Sequence, residues 1–304
     1  MSKQPEINRI AIIGFGEVGG IFGRDFAEQG IKVSVFDILF HSKRQRKLML
    51  AKARACGVTV AEGLKNCIHE SQLVISAVTV SSALEVAKRS SRSLRKGQVF
   101  LDINSVSPAT KRKSAISVEN SGAHFIEAAV MAPVPGQRIK VPMLLGGARA
   151  GPAAEQLRGL GMNATALGDQ IGVASAVKMC RSVMIKGLEA LAVECLFAAK
   201  RYGAEDKVLE SLAATYPSMG WDVGLPDYLI SRVAEHGRRR AAEMREVATA
   251  LREVGITPTM AVATADRQEQ LVRDMARQKI VFNDKDFRWR SLADMLTSHS
   301  LRTS

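Results

Sequence analysis

The chain has 304 residues, 46% of them apolar, and its 43 lysines and arginines outnumber 30 aspartates and glutamates, for a formal net charge of +13. That length suits about two domains, and the apolar share excludes a disordered chain or a disulfide-stapled miniprotein. Aromatic residues make up only 5% and no nucleic-acid motif is present, so the charge is read as solvated helix faces or an attraction for an anionic cofactor, with no nucleic-acid partner. No apolar run is long enough to span a bilayer and the N-terminus lacks a signal-peptide core, so no membrane partner and a cytoplasmic location are expected. Cys56, Cys67, Cys180 and Cys195 form no CxxC pair and the histidines are scattered; reduced thiols and no metal site are expected.

In chain order, β-rich runs at Ile10–Ile13, Lys32–Phe36, Leu73–Ser76, Val99–Ile103, His124–Ile126 and Met143–Leu145 alternate with amphipathic stretches such as Gly19–Gln29, His41–Cys56 and Ser81–Arg89. This alternation implies βαβ units and an α/β, doubly wound, mostly parallel sheet. The β-rich character stops near Gly168. From Gly172 to Arg201 one long helix is expected, about 45 Å in length, with no proline and Gly187 as its only internal glycine. Helices at Ala204–Thr215, Pro226–Val254 and Thr257–Gln278 follow, and the polar stretch Ser291–Ser304 is expected to fray. The reading is a dinucleotide-binding Rossmann-type domain over residues 1–170 and an all-α substrate and dimerisation domain over 171–304.

The strongest motif is Gly14-Phe15-Gly16-Glu17-Val18-Gly19, which follows the first strand and opens a helix. The first glycine permits a tight turn, the second lets backbone approach a pyrophosphate, and the third lets helix and strand pack closely. The helix N-terminus adds free N–H groups and partial positive charge. Asp37 ends the next strand, where a carboxylate accepts hydrogen bonds from ribose hydroxyls and repels a 2′-phosphate, favouring NAD. Lys43 and Arg44 follow closely and keep NADP open.

The long helix carries Lys178, with Ser182 and Lys186 along one stripe at spacings of four. In an otherwise apolar stripe, Lys178 is either a buried ammonium tuned for proton transfer or a lysine whose stem covers apolar surface while its head reaches water.

Three segments together resemble the β-hydroxyacid dehydrogenase and 6-phosphogluconate dehydrogenase superfamily: the glycine fingerprint; Val99-Phe100-Leu101-Asp102-Ile103-Asn104-Ser105-Val106-Ser107-Pro108; and Gly168-Asp169-Gln170-Ile171-Gly172-Val173-Ala174-Ser175-Ala176-Val177-Lys178. The second is similar to the family's turn beside the nicotinamide, and the third to its glycine-rich entry into the interdomain helix, whose lysine is the acid/base. The resemblance implies that Lys178 is catalytic and that Asn104 and Ser105 sit beside the nicotinamide, with Val78 and Thr79 along the cofactor edge. It also implies a homodimer built mainly from residues after Gly172.

The chain departs from the family where substrate is held. The usual D-A-P-V-S-G-G becomes Glu127-Ala128-Ala129-Val130-Met131-Ala132-Pro133, and the asparagine that follows the lysine is replaced by Arg181 and Ser182. The K-D pair falls on Glu243-Met244. The segment from His236 to Met244 resembles a branch whose C-terminal domain is of unknown function. Ser182 either takes the asparagine's role or bonds its own backbone, and Met131 either lines the substrate pocket or fills core. His236 and one of Arg239 or Arg240 are candidates for contact with substrate. The expected activity is hydride transfer between NAD(P) and a small hydroxy or carbonyl compound; the alternatives are an imine reductase on the same scaffold and a non-catalytic NAD(P) sensor.

Overall fold

The computed structural model describes residues 7–300. Its elements run β1 (Arg9–Ile13), α1 (Glu17–Glu28), β2 (Lys32–Phe36), α2 (Arg46–Ala55), β3 (Thr59–Val60), α3 (Leu64–Ile68), β4 (Leu73–Ser76), α4 (Ala83–Ser91), β5 (Val99–Asp102), α5 (Pro108–Glu119), β6 (His124–Val130), α6 (Val134–Gln137), β7 (Met143–Gly146), α7 (Ala150–Gly159) and β8 (Ala164–Gly168). All-helical chain follows: α8 (Val173–Tyr202), α9 (Glu205–Thr215), α10 (Leu225–Glu253), α11 (Thr259–Arg277) and α12 (Trp289–Ser300). The chain divides into two compact units, Met1–Lys178 and Met179–Ser304, so the division falls inside α8. The sequence reading puts the boundary at 170/171, just before that helix.

The first unit is one eight-stranded sheet in the order β3-β2-β1-β4-β5-β6-β7-β8. Every pairing is parallel except β6 with β7. Alternation along the strands fills both faces. Ile10, Ile12, Leu73, Ile75, Leu101 and Ile126 enter one core, and Ala11, Ile13, Val74, Phe100 and Phe125 the other. Burial on both sides explains why these strands read as continuous apolar runs, as expected for a sheet covered by helices on each face. The order reverses direction between β1 and β4, and the strand ends there form the crevice where doubly wound sheets hold ligands.

The second unit packs its apolar stripes around Leu196, Trp221, Ile230, Val233 and Leu292, and around Met179, Ala241, Met244 and Val247. Among the described residues, no helix is long and apolar enough to cross a membrane.

Several features differ from the sequence reading, among them strands β3 and β8, which it does not name. The stretch expected to fray from Ser291 is helical to Ser300, because Trp289, Leu292, Ala293 and Leu296 recur at helical spacing and are buried; residues 301–304 lie outside the described residues. The amphipathic stretch His41–Cys56 is helical over Arg46–Ala55, as α2, and begins at the last residue of a 3₁₀ turn, Ile38–His41. The Asp37 carboxylate caps that turn by accepting from Leu39 N–H.

Candidate functional site

The carboxyl ends of β1, β2, β4, β5 and β6 lie along one edge of the sheet, and the segments that follow them carry most of the motif residues. Gly14 has φ +93°, and a Cβ there would meet the carbonyl oxygen of Ala77 at 2.3 Å. Only glycine fits the turn, and it lets the loop after β1 lie against the end of β4. Gly19 packs as tightly, since its Cβ would sit 2.0 Å from Gly14 O. At Gly16 nothing of the protein lies within 4 Å of such a Cβ. The loop therefore leaves open space at the N-terminus of α1, where first-turn N–H groups lack helical partners. This is the cradle a pyrophosphate requires.

Glu17 is exposed and Val18 half-buried, whereas the Phe15 ring is fully buried and stacks on Phe40, leaving its backbone to serve the loop. Asp37 Oδ2 accepts from Phe15 N–H at 2.7 Å and Oδ1 from Leu39 N–H at 2.9 Å. Each oxygen keeps a second lone-pair direction for a ribose hydroxyl. Lys43 and Arg44 are exposed. Lys52, which sequence reasoning missed, reaches from α2 to donate to the carbonyls of Phe15 at 3.0 Å and Gly16 at 2.6 Å. Its ammonium lies 4.9 Å from the centre of the Phe15 ring. Helical periodicity marks Lys52 only as one basic residue among several.

Gly16→Ala separates the two uses of this loop. Because the added methyl meets no protein atom, the variant is expected to fold with unchanged stability. It is expected to weaken NAD binding at least tenfold, about 1.4 kcal/mol, by calorimetry.

A buried polar network joins the ends of β4 and β5. Asn104 Nδ2 donates to Asp102 Oδ1 at 2.7 Å and to Ser76 Oγ at 2.9 Å, and Asn104 Oδ1 accepts from Val78 N–H at 2.7 Å. All the hydrogen-bonding positions of this amide but one lone pair are engaged, so its orientation is fixed. Asp102 is held by Lys111, whose Nζ lies 3.0 Å from Oδ1 and donates to the Asp102 carbonyl at 2.7 Å. Lys111 is 1% exposed and Asp102 fully buried. Thr79 is exposed and bonds Ser82.

The next residue in the same turn, Ser105, meets Lys178: Lys178 Nζ donates to Ser105 Oγ at 2.7 Å. Two residues 73 positions apart in the chain thus bring an ammonium and a hydroxyl together beyond the end of β5. Met131 follows β6 at the same edge and is half-buried.

The remaining candidates belong to the second unit. Ser182 is half-buried, one turn beyond Lys178 on α8. Lys186 is buried and ion-paired with Glu243, and burial holds its pKa below the ordinary lysine range. Arg240 makes a two-nitrogen clasp on buried Glu189, so it acts in helix packing. Arg239 is exposed. His236 lies 3.1 Å from Glu235, and burial, with Arg239 beside it, lowers its pKa from the usual imidazole value.

Residues 9–155 match the family described as the NAD binding domain of 6-phosphogluconate dehydrogenase, and residues 199–271 match a domain of unknown function, DUF1932. The chain is 30% identical over 256 residues to an uncharacterized 28.5 kDa protein in the 7S RNA 5′ region of Methanothermus fervidus, covering 84% of this chain and 96% of that one. It is 25% identical over 231 residues to 3-hydroxyisobutyrate dehydrogenase of Pseudomonas aeruginosa, covering 71% and 72%. A conserved hypothetical protein from Sinorhizobium meliloti 1021 superposes with a TM-score of 0.77 at 35% identity, over 97% of each chain. With the glycine cradle and the strand order, these findings show that the chain belongs to the 6-phosphogluconate dehydrogenase-like NAD(P)-binding superfamily, in the branch that carries the DUF1932 domain.

Proposed function

We propose that the protein is an NAD(P)-dependent oxidoreductase that interconverts a small hydroxy compound and its carbonyl, with Lys178 as general acid/base. The observation that carries this reading is the Lys178–Ser105 contact at the strand edge that also holds the dinucleotide loop. Bound NAD(P) supplies the hydride acceptor or donor. Lys178 takes the hydroxyl proton during oxidation as the neutral amine and returns it during reduction as the ammonium. Ser105 orients the ammonium toward the reacting oxygen, and Asn104, fixed on Asp102 and Ser76, keeps the turn in place. Ser182 offers a second hydrogen bond on the same helix. Met131, Ala132 and Pro133 supply no side-chain donor where the superfamily usually has a serine and two glycines, so this wall favours an apolar part of the substrate. His236 and Arg239 are further candidates for substrate contact, and NAD is favoured over NADP by Asp37.

The 3-hydroxyisobutyrate dehydrogenases among its relatives make 3-hydroxy acids the first substrates to try. The test is a panel of 3-hydroxy acids with NAD and NADP, run beside cyclic imines with the reduced cofactors. Turnover of a hydroxy acid or its carbonyl supports the reading. Turnover of imines alone makes it an imine reductase, and cofactor binding with no turnover makes it a sensor.

The second part of the reading is a homodimer formed mainly by residues after Gly172. Val173, Val177, Met184 and Leu191 are exposed on α8, with Met184 at 74%, and their spacing aligns them on one apolar stripe. Light scattering at micromolar concentration is expected to give twice the chain mass of 32.9 kDa; a monomer mass would contradict it.

A further inference from the structure

Ser76, Asp102 and Glu127 stand side by side in register across three neighbouring strands, Ser76 and Asp102 as the last residues of β4 and β5 and Glu127 in the middle of β6. All three are buried. Ser76 is spent on Asn104, and Asp102 on Asn104 and Lys111. Glu127 is spent on the start of α8. Its Oε1 accepts from the backbone N–H of Gly172 at 2.6 Å and of Ala174 at 3.1 Å; its Oε2 accepts from Ser175 N–H at 3.4 Å and Ser175 Oγ at 2.8 Å. These are the first-turn donors that a helix cannot satisfy by itself, and a carboxylate there also meets the positive end of the helix dipole. A fully buried carboxylate is normally costly and persists only when it is fully bonded. Here the bonding consists entirely of the entry to the helix that carries Lys178.

Lys178 lies a single turn beyond Ser175. Its ammonium reaches Ser105 after β5, while the root of its helix is tied to β6, the adjacent strand. Two attachments on neighbouring strands therefore define where the ammonium sits. Loss of the first lets the helix start shift while the second pulls only on a flexible side chain. A misplacement of about 1 Å is enough to cost on the order of 10²-fold in rate.

We propose that Glu127 is a positioning residue: it locks the first turn of α8 to the sheet and thereby sets Lys178 against Ser105. The proposal rests on the reading of Lys178 as the proton-transfer group. The full-length chain is compared as wild type, Glu127→Ala, Glu127→Gln, Lys178→Ala and the Glu127→Ala/Lys178→Ala double variant. The readouts are turnover on the best substrate of the panel, NAD affinity, and amide hydrogen exchange of the cofactor-free protein.

Glu127→Ala is expected to lower kcat roughly 10- to 100-fold, with NAD affinity changed less than about twofold. Glu127→Gln is expected to fall between it and wild type, since one oxygen still accepts from Gly172 and Ala174. It carries the test if the alanine variant fails to fold. In the Lys178→Ala background, Glu127→Ala should cost less than about twofold, because its route to the chemistry is already gone. Exchange should accelerate over residues 172–178 and stay unchanged over β1 and α1. Equal losses in both backgrounds would make Glu127 a general support of the fold and overturn the proposal. So would wild-type turnover and exchange in Glu127→Gln. A Lys178→Ala variant with full turnover would instead overturn the functional reading, a result visible without any change at Glu127.

Discussion

Lys178→Ala is expected to cut turnover by roughly 10²- to 10⁴-fold, the usual share of general acid–base catalysis, while leaving NAD affinity nearly unchanged. The two effects separate because the lysine sits with Ser105 beyond β5, whereas the proposed dinucleotide contacts are the loop after β1 and Asp37. Lys178→Arg is expected to fail as well. A guanidinium keeps the positive charge and can donate to Ser105, but it does not release its proton at working pH. Steady-state kinetics across pH, with calorimetry for the cofactor, checks both variants. Near-normal turnover in Lys178→Ala across the pH range would make the lysine structural and send the search for the acid to a water held by Ser182. Lys186, with its charge already committed to Glu243, is the weaker successor.

Lys111→Met is expected to destabilise the protein by about 3–5 kcal/mol, the range for removing one member of a buried ion pair. Methionine replaces most of the stem volume, so the loss isolates the ammonium. Asp102 then keeps only the donors of Asn104, and its second oxygen already has no hydrogen-bond partner. Domains of ordinary stability hold only about 5–15 kcal/mol in total, so the urea midpoint should fall sharply at an unchanged slope. A shift below about 1 kcal/mol would mean that Asp102 takes up a proton or admits water once the lysine is gone.

The parts of this fold that were legible in the sequence are those written in local periodicity. Ile10–Ile13 and Leu73–Ser76 read as strands because both faces of the sheet are covered, and the helix from Val173 is unbroken by proline. Helix α5 escaped notice because its inward face carries Lys111 and Ser114, both buried; an apolar stripe interrupted by a lysine does not look like a core face. Helix α7, which the sequence reading does not name, opens through Gly151 and Pro152, and proline suits a first turn. At the site, Gly14, Gly16, Asp37, Asn104 and Ser105 could be singled out because turns and strand ends leave glycine, acidic and proline signatures, and Lys178 because it interrupts an apolar helix stripe at the position the family resemblance implies. Lys52, Lys111 and Glu127 could not be. Their partners are chosen by the fold rather than by spacing, as with Lys52 and Phe15, 37 residues apart in sequence.

The one antiparallel pairing of the sheet bears on how this chain diversifies. Between Val130 and Met143, which pair directly, the segment 131–142 leaves and returns as an excursion closed at its base by Met131 N–H on Pro142 O. Its far side is fastened independently: Arg138, at φ +55°, grips buried Asp25 on α1, and the next amide, Ile139 N–H, donates to the same carboxylate. A wall clamped at both ends can exchange the residues between its clamps without altering strand register or the dinucleotide loop. On the proposed function, the positions after Val130 face substrate, so substrate preference can change there without any change at Lys178 or in the dinucleotide loop.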